Sequence, residues 1–245
     1  SELICVDGSM SRWYGQGGSW INHGRPMYIA IDRKPENGCE IQNAACGVSG
    51  VMLHLKLVKG STAPDEEDEH NGGGAAPMLH GTQVLLYLLS PWYNTQRVVC
   101  ADSYFASVGA VQELMRNGLR FIGVVKTATR RFPKAYLSNL ELTQRGDFSG
   151  LVSVDENGTA MCAFVWMDGD RRYFISTTGS MEAGMPYVRH HWRQVDDTEG
   201  ADPEMVELTV PQPKIAETYY ATCAAIDKHN RCRQDDLALE KKIET

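Results

Sequence analysis

The chain predicts an α/β fold, an open mixed sheet with helices packed against it. Three observations carry this reading. The run Arg97-Val-Val-Cys-Ala-Asp102 is β-branched and ends on a carboxylate, and a polar-aromatic turn and a helix-like segment, 108–117, follow it. A second run, Leu3-Ile-Cys-Val-Asp7, has the same form. A third, Phe121-Ile-Gly-Val-Val125, comes directly after the helix and its glycine stop, Gly118. Strands interleaved with helices in this way read as layers around one sheet.

Taken in order, Glu2 to Val6 reads as the first strand. Residues 12–18 are glycine-rich, but no Gly-Lys-Ser/Thr follows, so they are not a P-loop. A short apolar run, 27–31, and a turn, 32–38, precede two further strands at 40–46 and 51–58. The second of these alternates, with Val51, Leu53, Leu55 and Leu57 against Met52, His54, Lys56 and Val58. Its leucines read as the buried face and His54 as solvated. Residues 60–81 read as a linker, acidic at 65–69 and then glycine-rich. Residues 83–89 are compatible with a helix ahead of the 97–101 strand. After the 121–125 strand come three strand candidates, 151–154, 160–167 and 172–176. The turn signals Asn157-Gly158 and Asp168-Gly169 separate them. Residues 182–213 read as irregular. Residues 214–230 then read as a helix, with Ile215, Thr218, Tyr219, Thr222 and Ile226 at three- and four-residue spacing. The domain expectation is a sheet core over 1–126, a β-rich insertion over 127–178, and the rest of the core over 179–245.

Bulk properties narrow the function classes. At 245 residues the chain can bury a sizeable core, and 42% hydrophobic with 22% charged content is ordinary for a globular protein. No apolar run is long enough for a membrane-spanning helix, so no membrane partner is expected. Seven cysteines without a C-x-x-C pair point to free thiols in a reducing compartment. The net charge of −7 opposes a nucleic-acid partner unless basic residues are concentrated locally. They gather at Lys126, Arg130, Arg131 and Lys134, at Arg189-His-His-Trp-Arg193, and at Lys228, Arg231 and Arg233. The chain opens on Ser1 almost directly in a strand, which reads as part of a longer protein.

Two strand-borne aspartates, Asp7 and Asp102, with a third, Asp227, on a later helix make the metal-binding pattern of ribonuclease-H-like phosphoryl transferases. Hard divalent cations take carboxylate oxygens. Two such ions about 4 Å apart can activate an attacking oxygen and stabilise a leaving oxygen.

The residues around these aspartates resemble the piggyBac-like transposases. Asp7-Gly-Ser-Met, with Trp13 and Gly15, is similar to that family's first acidic box, and Arg33-Lys-Pro-Glu-Asn-Gly38 to its Lys-Pro…Gly turn. Asp102-Ser-Tyr-Phe-Ala-Ser107 is close to Asp-Asn-Phe-Phe-Thr-Ser, and 121–126 resembles the strand that ends in Gly-Thr-x-Arg. Residues 219–230 resemble Tyr-Asn…Gly-Gly-Val-Asp-x-x-Asp-Gln, with Ala224-Ala-Ile-Asp227 in place of Gly-Gly-Val-Asp and neutral Asn230 at the further acidic position. The family's cysteine-rich zinc-binding tail has no counterpart here.

The resemblance implies a ribonuclease-H-like mixed sheet flanked by helices, with a β-rich insertion between the second and third aspartates. It implies a DDD-type, cut-and-paste DNA transposase core that cleaves and joins DNA strands through hairpin-ended intermediates at TTAA targets. Asp7, Asp102 and Asp227 would be catalytic and would bind Mg²⁺, or Mn²⁺ as a substitute, with Asn230 as a further ligand. Lys126, Arg130, Arg131 and Lys134 would contact DNA. Transposon ends and target DNA would be the partners, in a nuclear protein that pairs as a homodimer. The alternative is a domesticated, inactive descendant that binds DNA or chromatin.

Overall fold

The computed structural model describes residues 2–12, 29–30, 37–58, 78–126, 130–154, 158–179, 181–193 and 204–237. The glycine-rich stretch 13–18, the turn at 32–36, the acidic run 65–69 and most of the linker lie outside these residues, as do Thr127 and Asn157.

Strand β1 (Leu3–Arg12) runs well past Val6, where the sequence reading ended it. The cause is β3 (Asn37–Cys46), which pairs with it antiparallel from Ile4↔Cys46 to Arg12↔Gly38 and keeps the backbone extended. Strand β2 (Ile29–Ala30) and strand β4 (Met52–Leu57) both pair with the far side of β3. On its other side β1 pairs in parallel with β5 (Val98–Ala101), and β5 in parallel with β6 (Arg120–Val125).

Three antiparallel strands then extend the same sheet. β9 (Asp170–Ser176) pairs with β6, β8 (Ala160–Asp168) with β9, and β7 (Phe148–Val154) with β8. The span read as an insertion is thus β-rich and adds its strands to the core sheet's edge. Gly158 and Gly169, at the two hairpin turns, have φ of 78° and 75°, the left-handed region that glycine enters without steric cost.

Period-two alternation divides the strands between two cores. Ile4, Val6, Val99, Ala101, Phe121 and Val125 face one side. There they meet α1 (His80–Leu89) and α2 (Val108–Arg116), through Val84, Leu85, Leu88, Val111 and Leu114. Cys100, Ile122, Val124, Phe164, Trp166 and Phe174 face the other side and meet Ile215, Ala216 and Tyr219 of α4 (Lys214–Arg231). Helix α2 begins at Ser107, whose side chain accepts from Ala110 N at 3.1 Å. Capping there belongs to Ser107, and Asp102 stays in the turn before it. A short helix, α3 (Lys134–Ser138), covers the edge near β8.

Two expectations are corrected. On β4 the buried and exposed faces are reversed: Leu53, Leu55 and Leu57 are exposed, while Met52, His54 and Lys56 turn inward. Helix α1 packs on that inner face. The His54 Nδ1 lies 3.0 Å from Leu88 O, and its ring lies 4.9 Å from that of Tyr87. The second correction concerns 182–213. Residues 187–193 and 204–210 form a two-stranded antiparallel ribbon, β10 (Tyr187–Arg193) with β11 (Glu204–Val210). Val206, Leu208 and Val210 alternate along β11, but of these only Val210 reaches the core, and Val188, Trp192, Met205, Val206 and Leu208 are exposed. Arg189 ties it to the sheet through buried Asp168, at 3.2 Å.

Candidate active site

Asp7 and Asp102 are brought side by side by strand register. Val6 and Ala101 are the last paired residues of β1 and β5, and the aspartates are the next residues on each. Adjacent strands lie about 4.8 Å apart, so the two side chains share the end of one sheet groove. Each is oriented by the backbone beside it. Asp7 Oδ1 accepts from Gly8 N at 2.7 Å, and Asp102 Oδ1 accepts from Tyr104 N at 2.9 Å. Buried Asn43 steadies the β1 side, its Nδ2 donating to Ser9 Oγ at 2.8 Å and to Asp7 O at 3.3 Å. The Asp102 carbonyl accepts from Phe105 N and Ala106 N, which closes the turn.

Asp227 reaches the same place from α4. A cleft of about 310 Å³ is lined by Asp7, Asp102 and Asp227 together with Tyr219, Tyr220 and Cys223. Residues 219, 223 and 227 follow at intervals of four, so they stand on one helix face. That spacing was readable, and it picks out Tyr219 and Cys223 as neighbours of Asp227. Burial raises the Tyr219 hydroxyl well above the ordinary tyrosine range, with added contributions from Cys223 and from the Asp102 charge. Contact with Cys5, and then burial, hold the Cys223 thiol far above its ordinary value. Both groups are therefore neutral at physiological pH, and the negative charge of the cleft comes from the aspartates.

The donor set suits a hard cation, since all three groups are carboxylates. Among the described residues, no three His, Cys, Asp or Glu side chains are gathered closely enough to form a ready-made ion site. Asp227 is exposed on α4 while Asp7 and Asp102 are half-buried, so Asp227 is the member with room to adjust. Asn230 lies one turn further along. It does not line the cleft, and its Oδ1 accepts from Arg233 Nη2 at 3.4 Å. Arg233 also donates to Met10 O at 2.9 Å, which pins the end of α4 to β1.

A second cleft, of about 330 Å³, lies on the other side of the Asp7–Asp102 pair and includes Glu40, His80 and Tyr104. The sequence reading singled out none of these three. The Tyr-Phe doublet after Asp102 was visible, but nothing in it tells which ring is buried. Phe105 is 3% exposed and Tyr104 59%.

Lys126 follows β6 at the end of the sheet that carries Asp102, because β5 and β6 are parallel. Lys126, Arg130 and Arg131 are exposed. Lys134 Nζ donates to Lys126 O and lies 5.2 Å from the Tyr173 ring centre. Of the other basic groups, Arg189 is taken up by Asp168, while Lys228 and Arg231 border a hollow on the far side of Asp227.

A family model described as Transposase IS4 matches residues 1–240. The chain belongs to this transposase family. Its fold is similar to that of a piggyBac transposase solved by cryo-EM as a synaptic complex with hairpin DNA, at a TM-score of 0.63 and 15% identity. The likeness covers 96% of this chain and 40% of that one, so the chain spans two fifths of the length of the solved transposase. No curated protein matches. The mixed sheet flanked by helices that the aspartate boxes led one to expect is the architecture present, and it is the fold of that piggyBac transposase's corresponding part.

Proposed function

We propose that Asp7, Asp102 and Asp227 are the catalytic and metal-binding residues of a DDD-type transposase that cleaves DNA strands and transfers them to target DNA. The observation that carries this is one cleft lined by three aspartates, from two adjacent strands and a helix, in a chain of a transposase family. Mg²⁺, or Mn²⁺ in its place, would supply charge neutralisation and activation of the attacking oxygen. The chain's own contribution is orientation. The amides of Gly8 and Tyr104 hold one oxygen of each strand aspartate, so the carboxylates are aimed before any substrate arrives. Asn230, the further ligand expected from the resemblance, does not line this cleft, and its Oδ1 accepts from Arg233 at 3.4 Å.

DNA is the proposed substrate, as transposon ends and target, in a nuclear protein that pairs as a homodimer. The synaptic DNA complex of the similar solved transposase supports this reading. Full-length protein should nick labelled transposon-end DNA with Mg²⁺ or Mn²⁺ and leave it intact in excess chelator. DNA bound normally but never cut under any divalent cation would mark a domesticated binder instead.

Arg130 and Arg131, exposed after β6, are the proposed phosphate contacts. With a net charge of −7, binding has to come from such a local patch. The Arg130→Ala/Arg131→Ala double variant is expected to lower the slope of log affinity against log salt by about two units, close to one per lost contact. An unchanged affinity and slope in a fluorescence-anisotropy titration would leave these arginines as a solvated face.

A further inference from the structure

The sheet ends on β7, which pairs with β8 alone among the described residues, from Phe148↔Trp166 to Val154↔Ala160 without a bulge. Its sequence, Phe-Ser-Gly-Leu-Val-Ser-Val, has neither a charge nor a proline. Val152 and Val154 are 59% and 61% exposed. Outer strands are ordinarily kept from pairing with other chains by a charge, a proline or a bulge. Other outer strands here have such devices. β4 carries Lys56 and shifts register against β3, while β10 and β11 carry Arg189, Arg193, Glu204 and Glu207. β7 has none, so its outer edge is open to a further strand.

Beside this edge lies a cavity of about 490 Å³, lined by Met161, Ala163 and Ile175 of the sheet, Val108 and Met115 of α2, and Phe132. Leu151 and Ser153 border it too, on the same face as Ala163 and Met161, their partners across β8. A strand laid against β7, about 4.8 Å further out, turns every second side chain toward this cavity. The lining is mostly apolar and suits a large apolar side chain. Its one charged member is Arg131, which is exposed, and no Asp or Glu contributes. Arg131 has φ of 70°, a region that residues with a Cβ seldom occupy, and buried Phe132 anchors the chain directly after it.

We infer that β7 and this cavity form a docking site for an extended peptide of a partner protein. The peptide adds a strand to the sheet, buries one large apolar side chain in the cavity and sets an acidic residue against Arg131. In this mode main-chain hydrogen bonds give affinity and the pocket gives specificity. A second copy of β7 is a poorer match. It has no acidic residue to offer Arg131, and it would bring together two chains of net charge −7. The inference stands apart from the catalytic reading, since none of the three aspartates lines this cavity. Arg131 is shared with the proposed DNA patch, so the test is run without DNA.

Full-length protein is titrated with fluorescein-labelled synthetic heptapeptides in which Phe, Leu or Val alternates with Ser or Thr and one polar position is Asp. Saturable binding by fluorescence anisotropy is expected, about two- to tenfold tighter than with Lys at that position. N-methylation along one edge of the peptide should weaken binding about tenfold for each lost hydrogen bond, and along the other edge should change little. Arg131→Glu should reverse the preference to Lys. Ser153→Lys, an exposed change that gives the strand a charge, should abolish binding at a melting temperature equal to wild type. No saturable binding, binding indifferent to Ser153→Lys and to N-methylation of either edge, or an Asp preference that survives Arg131→Glu overturns the inference. A wild-type dimer in sedimentation velocity that Ser153→Lys dissociates, with no peptide bound, assigns the edge to a second copy and overturns it as well.

Discussion

Replacing Asp102 with asparagine is expected to lower strand cleavage at least about a thousandfold while DNA affinity changes little. The substitution keeps side-chain size, and Oδ1 can still accept from Tyr104 N, the bond that closes the turn after β5. What it removes is the negative charge facing the cleft shared with Asp7 and Asp227. Metal stabilisation of a transferring oxygen is worth several kcal/mol, and about 1.4 kcal/mol corresponds to a factor of ten in rate. Asp102→Asn should therefore have the melting temperature of wild type without metal and should gain no stability from Mn²⁺, which stabilises wild type by mass action. Cleavage within tenfold of wild type, measured on the same labelled duplex, would remove Asp102 from the catalytic set.

The largest effect on stability is expected at Trp166. Its ring is 1% exposed in the core beneath α4, beside Phe164 and Phe174, which stack with centres 4.8 Å apart. Its Nε1 donates to Pro211 O at 2.9 Å and ties β8 to the residues just ahead of α4. Trp166→Ala leaves a large cavity and an unpaired carbonyl, a loss of about 3–5 kcal/mol. In a chain of this size that is a fall in melting temperature of about 6–20 °C. Because α4 carries Asp227, the metal-dependent part of the stability should fall as well. Trp166→Phe, which keeps most of the volume, should lose much less. A fall of under 2 °C for Trp166→Ala would mean that α4 does not depend on this core.

Much of the sheet was legible because its strands alternate and its helices punctuate them. Leu3 to Val6, Val98 to Ala101 and 121–125 carry β-branched runs, and Gly118, with φ of 65°, ends α2 where the sequence places a stop. The β4 reversal shows the limit of periodicity. Alternation separates Leu53 and Leu55 from His54 and Lys56, but which set is buried depends on where α1 packs, and that is a tertiary decision. Helix α1 lands on the polar set, and Lys56 and His54 lie against Tyr87. The β10–β11 ribbon was illegible for another reason. Strand β10 mixes Arg189, His190 and exposed Trp192, and although Val206, Leu208 and Val210 alternate along β11, only Val210 of these is buried, so pairing rather than burial defines most of the ribbon.

At the candidate site, Asp7 and Asp102 were visible as acidic residues on hydrophobic runs, and strand register turned that into adjacency. Asp227 needed the family resemblance as well as the helix periodicity. Asn230 was chosen on the same resemblance, and its contact with Arg233 is a local one at i,i+3 spacing. Glu40 was not read as a neighbour of the aspartate pair because it reaches the pair from the adjoining strand β3, a relation that periodicity does not encode.

The most direct test of the three-aspartate assignment is where divalent metal binds. Crystals of the full-length protein with transposon-end DNA, soaked in Mn²⁺, should show anomalous scattering between Asp7 and Asp102, with Asp227 drawn in from α4 as a further ligand. Manganese bound elsewhere, with the cleft between these three aspartates empty, would contradict the account.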